Sequence, residues 1–365
     1  MKVAIVHYWL VGMRGGEKML EALLEMFPDA DIFTHAHDPK SVSALINSRR
    51  IFLSRVGRLP FAKKLYQLYM PLMPAALVDF DLQRYDLVIS SEAGPAKGVV
   101  ANPSAFHLCY CHSPMRYAWD MYHEYYRGAG LVARFFMRRH ALPLRAWDAA
   151  SANLVDKFVT NSTHVAKRIR RAYNREAEVV YGPAAVEKYL DAPRAPEDFY
   201  LFFGQLAPYK RADLALDACA ALGRKIVIAG DGAKKKFVKK YSRSGLARFV
   251  GRVSDAEAAS LFSRARALLF PGVEDFGLVP VEACAAGCPV IAFREGGALD
   301  TVIENVTGIF FDERTPASLA SAIERFEQNE GGFCDRDAFR RQATRFSKAA
   351  FIARMRAALE KRERV

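Results

Sequence analysis

The sequence predicts an α/β protein made of two doubly wound units. Three observations carry this. Short apolar, β-branched runs alternate with helical patterns from end to end, as in parallel sheets covered by helices. The runs fall into two groups, separated by a Pro-containing polar stretch, PAAVEKYLDAPRAPED. A length of 365 residues is also long for one core and suits two.

In the first group the strand candidates are residues 2–7, 31–35, 86–90, 107–111 and 157–160. In the second they are 200–204, 225–230, 248–251, 267–271, 289–293 and 308–311. The join follows a strand-like EVVYG, which sets a first domain over 1–182 and a second over 183–346. Residues 347–365 read as a basic helix with apolar positions Phe351, Ile352, Met355 and Leu359, expected to return to the first domain. Two such units are expected to face each other across a cleft at the carboxyl ends of their strands.

Composition is that of an ordinary globular chain, 51% hydrophobic and 25% charged. No apolar run approaches the roughly 20 residues of a membrane-spanning helix. The N-terminal MKVAIVHYWLV lacks a basic region and a small-residue cleavage site, and reads as a buried strand rather than a signal peptide. The six cysteines show no paired metal-ligand spacing and read as reduced core residues of a cytoplasmic protein. A net charge of +13 favours anionic partners; nucleic acid would rest on that charge alone and is not expected. Residues 49–78 hold six basic side chains (Arg49, Arg50, Arg55, Arg58, Lys63, Lys64) and no acid, interleaved with Phe52, Leu59, Phe61, Leu65, Tyr66, Tyr69 and Met70. Residues 127–145 are similar, with Phe135, Phe136, Met137, Arg138 and Arg139. Such a mixture suits an anionic membrane surface; the plainer alternative is an amphipathic segment packed on its own domain.

The segment richest in chemistry is FPGVEDFGLVPVEACAAGCPVIAF, residues 270–293. A strand ends, an acidic loop follows, and a helix starts near Leu278. Gly277 permits close backbone approach, and the N–H groups of Leu278 and Val279 are unpaired first-turn donors. Together they suit a diphosphate at a helix N-terminus. Glu274 precedes that helix and Glu282 lies inside it, so the two carboxylates can orient sugar and ribose hydroxyls.

This E-x7-E string closely resembles the signature of glycosyltransferase family 4, whose fold is GT-B. The resemblance implies that Glu274 contacts the donor sugar and Glu282 the ribose. GQLAPYKRADLALDA, residues 204–218, resembles the family's phosphate clamp, with Lys210 at the lysine position. Gln205 stands where the family has arginine, so leaving-group charge would fall to Lys210 with help from Arg211. AGDG (229–232) and FVGRVSDAE (249–257) resemble the loops around the base, and GGALDTV (296–302) the Gly-Gly turn, with Asp300 for the usual Glu.

In the first domain, HYWLVGMRGGEKML resembles the family's first-strand glycine loop, with Gly15 and Gly16 approaching the donor. Its spacing is not that of a dinucleotide fingerprint. Glu17 and Lys18 read as helix-start charges rather than catalytic groups. CYCHSPMRYAWD puts His112 at the family's active-site histidine, against the donor sugar. Its continuation resembles bacterial mannosyltransferases of surface polysaccharides, and Arg116 and Asp120 are candidates for facing the acceptor. Asn161 and Ser162 read as a helix N-cap.

The implied activity is metal-independent, retaining transfer of a hexose from a nucleotide-diphosphate sugar, GDP-mannose favoured, to a glycan or lipid-linked saccharide. No cofactor is implied. The expected location is cytoplasmic, peripheral at the inner membrane face through residues 49–78. Rival readings are a GT-B sugar-nucleotide epimerase, a non-catalytic sugar-nucleotide or membrane-binding module, and a nicotinamide oxidoreductase, which the missing glycine fingerprint disfavours.

Overall fold

The computed structural model describes residues 1–232, 241 and 245–361. The chain divides into two compact units, Met1–Pro183 with Phe351–Val365, and Ala184–Ala350.

The first unit holds a seven-stranded sheet: β1 Val3–His7, β2 Asp31–Thr34, β3 Ile51–Leu53, β4 Leu87–Glu92, β5 Phe106–Cys111, β6 Lys157–Thr160 and β7 Ala177–Val179. Its order is β3-β2-β1-β4-β5-β6-β7 and every pairing is parallel. The strands are near-continuous apolar runs because a parallel sheet is covered on both faces. Its main helices are α1 (Gly15–Met26), α2 (Leu131–Ser151) and α3 (Thr163–Tyr173). Helix α1 buries Met19, Leu20, Leu23 and Leu24, a stripe at helical spacing. Helix α3 starts where Ser162 Oγ accepts the Val165 N–H at 3.0 Å and stops at Asn174, whose backbone is left-handed.

The second unit holds a six-stranded sheet: β8 Tyr200–Phe203, β9 Ile226–Ala229, β10 Ala247–Gly251, β11 Leu268–Phe270, β12 Val290–Phe293 and β13 Gly308–Phe311. Its order is β10-β9-β8-β11-β12-β13, again all parallel. Helices α4 (Ala212–Ala221), α5 (Asp255–Arg264), α6 (Leu278–Ala285), α7 (Pro316–Gln328) and α8 (Arg336–Thr344) belong to it. The last helix, α9 (Lys348–Glu360), carries the chain back. From Phe351 onward it is part of the first unit, where Phe351, Met355 and Leu359 join a core with Ile5, Ile89, Leu108 and Tyr110. Burying each such side chain is worth about 1.5–3 kcal/mol. Of the expected helix over 347–365, residues 362–365 lie outside the described residues.

The strand order reverses between β1 and β4 in the first sheet and between β8 and β11 in the second. In open α/β sheets such a switch point is where the loops at the carboxyl ends splay and ligands bind. Each expected strand is present within two residues of its bounds. One edge strand, β3, was not foreseen; it lies inside residues 49–78, which therefore begin as sheet, while β7 overlaps the strand-like EVVYG before the join at Glu178 and Val179. Five cysteines are buried and Cys334 is exposed; all six are free. Among the described residues no helix is long and apolar enough to cross a membrane.

Candidate active site

In the second unit, the loops that leave β8 and β11 flank the switch point and carry the residues singled out from the sequence. After β8 the backbone of Gly204 adopts φ +135°, and a Cβ there would stand 3.2 Å from Lys210 Nζ. The glycine makes room for the lysine side chain to lie along the loop. Lys210 ends a 3₁₀ turn, Pro208–Lys210. Its Nζ lies 2.8 Å from Glu274 Oε1, with both side chains mostly buried. An ammonium has three donors, so the pairing leaves it capacity for an anion.

Glu274 sits on the loop between β11 and α6. The Gly297 N–H holds that loop by donating to the Glu274 carbonyl at 2.8 Å. Gly277 caps α6 with φ +85°, a left-handed conformation that an L side chain rarely adopts, and turns the chain into the helix. The N–H groups of Leu278 and Val279 then open the helix with no intrahelical acceptor in reach. One turn further, Glu282 is half-buried near Tyr189; burial first, and then the Glu282 charge, push the tyrosine hydroxyl above its usual range.

Gln205 is exposed. Arg211 is left-handed at φ +53°, and its Nε donates to both Asp213 oxygens at 3.1 and 3.0 Å. Of the two adjacent cations, Lys210 faces Glu274 and Arg211 is held by its own helix. Among the described residues no three His, Cys, Asp or Glu side chains gather as a metal site would need.

In the first unit, His112 follows β5 and its N–H donates to the Glu92 carbonyl at 2.8 Å. Its Nε2 lies 3.0 Å from Ser91 Oγ. Ser91 Oγ is in turn 2.9 Å from His7 Nδ1, and His7 Nε2 lies 3.7 Å from Glu17 Oε1. Gly15 and Gly16 open α1, and a Cβ on Gly16 would stand 2.5 Å from the Tyr8 hydroxyl. Asp120 pairs with Arg168 of α3 at 2.5 Å, and Arg116 is half-buried.

Glu17 exceeds the helix-start role read for it. Its Oε2 does accept the Arg14 N–H at 2.9 Å, yet the side chain is buried. Burial alone would raise its carboxyl; contact with His7 and the backbone N–H bonds outweigh that and hold it below the usual range. His7 and Ser91 were not singled out at all. The signal was present: the face read by Val3 and Ile5, by Leu87 and Ile89, and by Leu108 and Tyr110 ends on His7, Ser91 and His112, three polar residues where the apolar alternation predicts apolar ones.

A second polar group, also unforeseen, lies beneath β4. Lys97, Glu92 and Asp148 have no solvent exposure. Lys97 Nζ is 3.3 Å from Glu92 Oε1 and also pairs with Asp148. Trp119 Nε1 and Tyr173 Oη donate to Asp148 Oδ2 at 2.7 and 2.9 Å. The Ala96 and Lys97 N–H groups donate to Glu92 Oε2. One ammonium thus serves two carboxylates.

Solved structures share this architecture over the whole chain. The Anabaena protein HepE in complex with UDP superposes with a TM-score of 0.71 at 16% identity, covering 99% of this chain and 100% of that one. The fold is GT-B. Within the GT-B chain, residues 191–349 match the family described as glycosyl transferases group 1. An uncharacterized glycosyltransferase of Methanocaldococcus jannaschii is 31% identical over 180 residues, 48% of this chain and 50% of that protein, so the match spans half of that relative's length. A D-inositol 3-phosphate glycosyltransferase of Streptomyces bingchenggensis is 26% identical over 315 residues, 67% of this chain and 69% of that one. These matches relate the chain to glycosyltransferases.

Proposed function

We propose that this GT-B chain is a retaining glycosyltransferase that moves a hexose from a nucleotide-diphosphate sugar to a glycan or lipid-linked saccharide. The observation that carries the reading is the Lys210–Glu274 pair at 2.8 Å beside the open N-terminus of α6. A cation and a helix end together stabilise the negative charge that grows on a departing diphosphate. Glu274 orients the sugar through its hydroxyls, and Glu282 the ribose. Gly277, Leu278 and Val279 receive the diphosphate, and Gln205 adds a neutral hydrogen bond.

The chemistry follows from those roles. The bond from the anomeric carbon to the diphosphate oxygen breaks as the acceptor oxygen attacks from the same face. The acceptor proton passes to the leaving phosphate. No carboxylate pair with the spacing of a double displacement is required. Lys210 and the α6 end do here what a metal ion does in other sites, so transfer proceeds in EDTA. His112, Gly15 and Gly16 contact the sugar end of the donor, and Arg116 and Asp120 bind the acceptor.

GDP-mannose is the donor we favour, on the likeness of residues 109–120 to bacterial mannosyltransferases. A uridine donor is the second choice, because the Anabaena relative of the fold holds UDP. We place the protein in the cytoplasm at an anionic membrane face. A thermal-shift panel of nucleoside diphosphates with and without EDTA tests the donor reading. A ligand at about 100 times its Kd stabilises by about 2.7 kcal/mol. If no nucleoside diphosphate shifts the melting temperature and no sugar is transferred, the reading fails.

A further inference from the structure

Asn161 stands at the carboxyl end of β6, one step beyond the Cys111–Thr160 register pair, so its neighbour across β5 is His112. By strand alternation it continues the face of Val159, which joins Leu108 and Tyr110 in one core, while Phe158 packs with Cys109 on the other face. It is thus a polar residue at the edge where this face stops being apolar, beside the histidine assigned to the site. Asn161 is only 9% exposed. Its carbonyl oxygen Oδ1 is buried and meets no hydrogen-bond donor.

The plain role for a polar residue here, capping α3, is filled by the next one. Ser162 is the N-cap, and its Oγ accepts the Val165 N–H at 3.0 Å. The cap read from the pair Asn161 and Ser162 therefore belongs to Ser162 alone. A buried amide without a partner is unfavourable, and the fold gains nothing from it. The last torsion of an asparagine is broad and nearly two-fold, so either end of the amide can turn to the exposed edge. What suits it follows from its chemistry. The oxygen only accepts and the nitrogen only donates. A hydroxyl does both and satisfies either end, whereas a phosphate oxygen leaves Oδ1 as it is.

We propose that Asn161 is a substrate-contacting residue whose amide binds a saccharide hydroxyl at the carboxyl edge of the first sheet, next to His112. The inference rests on the reading of this edge as part of a glycosyltransferase site. The hydroxyl belongs either to the sugar of the donor or to the acceptor.

The test uses the full chain, with Asn161→Leu beside the wild type, and reads thermal melting with GDP-mannose, GDP and methyl α-mannoside as probes. Without ligand, the leucine variant is expected to melt about 2–4 °C above the wild type, because it fills a similar space without an unpaired amide. A variant that melts no higher than the wild type shows that the amide is satisfied inside the fold, and the proposal is overturned. With ligand, the variant is expected to lose about tenfold in affinity for one saccharide probe, the worth of a hydrogen bond. Lost affinity for GDP-mannose with GDP unchanged makes the hydroxyl the donor's. Lost affinity for methyl α-mannoside makes it the acceptor's. Equal losses for GDP and GDP-mannose put the contact on the nucleotide and overturn the proposal. A variant that binds every probe as the wild type does overturns it too, and leaves the transferase reading standing. A wild type that binds none of the three overturns it together with the choice of GDP-mannose.

Discussion

Lys210 Nζ and Glu274 Oε1 stand 2.8 Å apart although they are 64 residues apart in sequence and come from loops after different strands. The contact exists because β8 and β11 are neighbours at the point where the strand order reverses. It ties the group assigned to the sugar to the group assigned to the diphosphate. Glu274→Gln and Lys210→Ala are each expected to lower transfer about a hundredfold, on the order of 3 kcal/mol in the transition state. Both side chains are mostly buried, so the melting temperature of each variant is measured beside its turnover to separate lost chemistry from lost stability. Near-wild-type turnover in either variant removes that residue from the mechanism.

Gln205→Arg is expected to fold normally and to transfer at least as fast as the wild type. Gln205 is exposed, so a longer side chain meets no packing barrier. Arg211, the other nearby cation, is engaged by Asp213 and supplies less charge to the loop than its position suggests. A new guanidinium would restore a bidentate phosphate donor. Steady-state kinetics decide: a variant that folds but loses donor affinity shows that the amide makes a contact the arginine cannot.

The central strands and the donor-side loops were legible because each is a local pattern: an apolar run with a glycine and a charged loop at its end. The edge strand β3 was not, since three residues are too few to show a period and its strand form depends on the neighbour it pairs with; β7 showed only as the strand-like EVVYG, with its bounds shifted. The Glu17–His7–Ser91–His112 row was missed for a different reason. Its members come from four segments, and only the register of three strands shows that they meet. The stretch 49–78 holds no acid of its own, but Asp79, just past its end, pairs with Arg55. Asp38 and Asp31 likewise pair with Lys63 and Arg50 from outside it.

The buried cluster predicts a pH dependence of stability. Burial is the main cause that raises the Glu92 carboxyl to about 7; Lys97 opposes the rise and Asp148 adds to it. The folded state then keeps a proton that the unfolded chain releases near the ordinary value of 4.5. Stability should therefore fall as pH climbs from about 4.5 to about 7 and level off above. Glu92→Gln should flatten that slope in urea titrations at pH 5 and pH 8. Lys97→Met should cost about 3–5 kcal/mol at pH 8, because it leaves two carboxylates buried without their cation. An unchanged slope in Glu92→Gln would falsify the assignment.

The last prediction concerns where the protein docks. Of the six basic side chains in residues 49–78, three are paired with acids from outside the stretch, as noted. Tyr66, Tyr69 and Met70 pack on Val56, Met73 and Ala76 rather than facing outward. Phe52, Phe61, Leu65, Leu68, Leu72 and Val78 do remain exposed. Helix α2 offers a second surface. Leu131 is 85% exposed, Phe135 66% and Leu142 73%, joined by Val132 and Phe136. Arg138 and Arg139 lie exposed among them, and the helix's single acid, Asp148, is buried in the Lys97 cluster. Apolar side chains next to cations, without surface acids, match a bilayer with anionic headgroups better than they match water or a neutral protein face. We therefore expect the first unit to sediment with anionic vesicles at low salt and to release as salt rises. Arg138→Gln with Arg139→Gln should weaken binding by about 1 kcal/mol per charge, roughly thirtyfold together. Leu131→Ser with Phe135→Ser should weaken it further at high salt, where only the apolar contribution survives. If binding instead ignores all four changes and is lost with Arg55, Arg58, Lys63 and Lys64→Gln, the docking surface is residues 49–78 and α2 faces something else. A wild type that ignores anionic vesicles even at low salt removes the membrane from the picture and leaves the transferase reading standing.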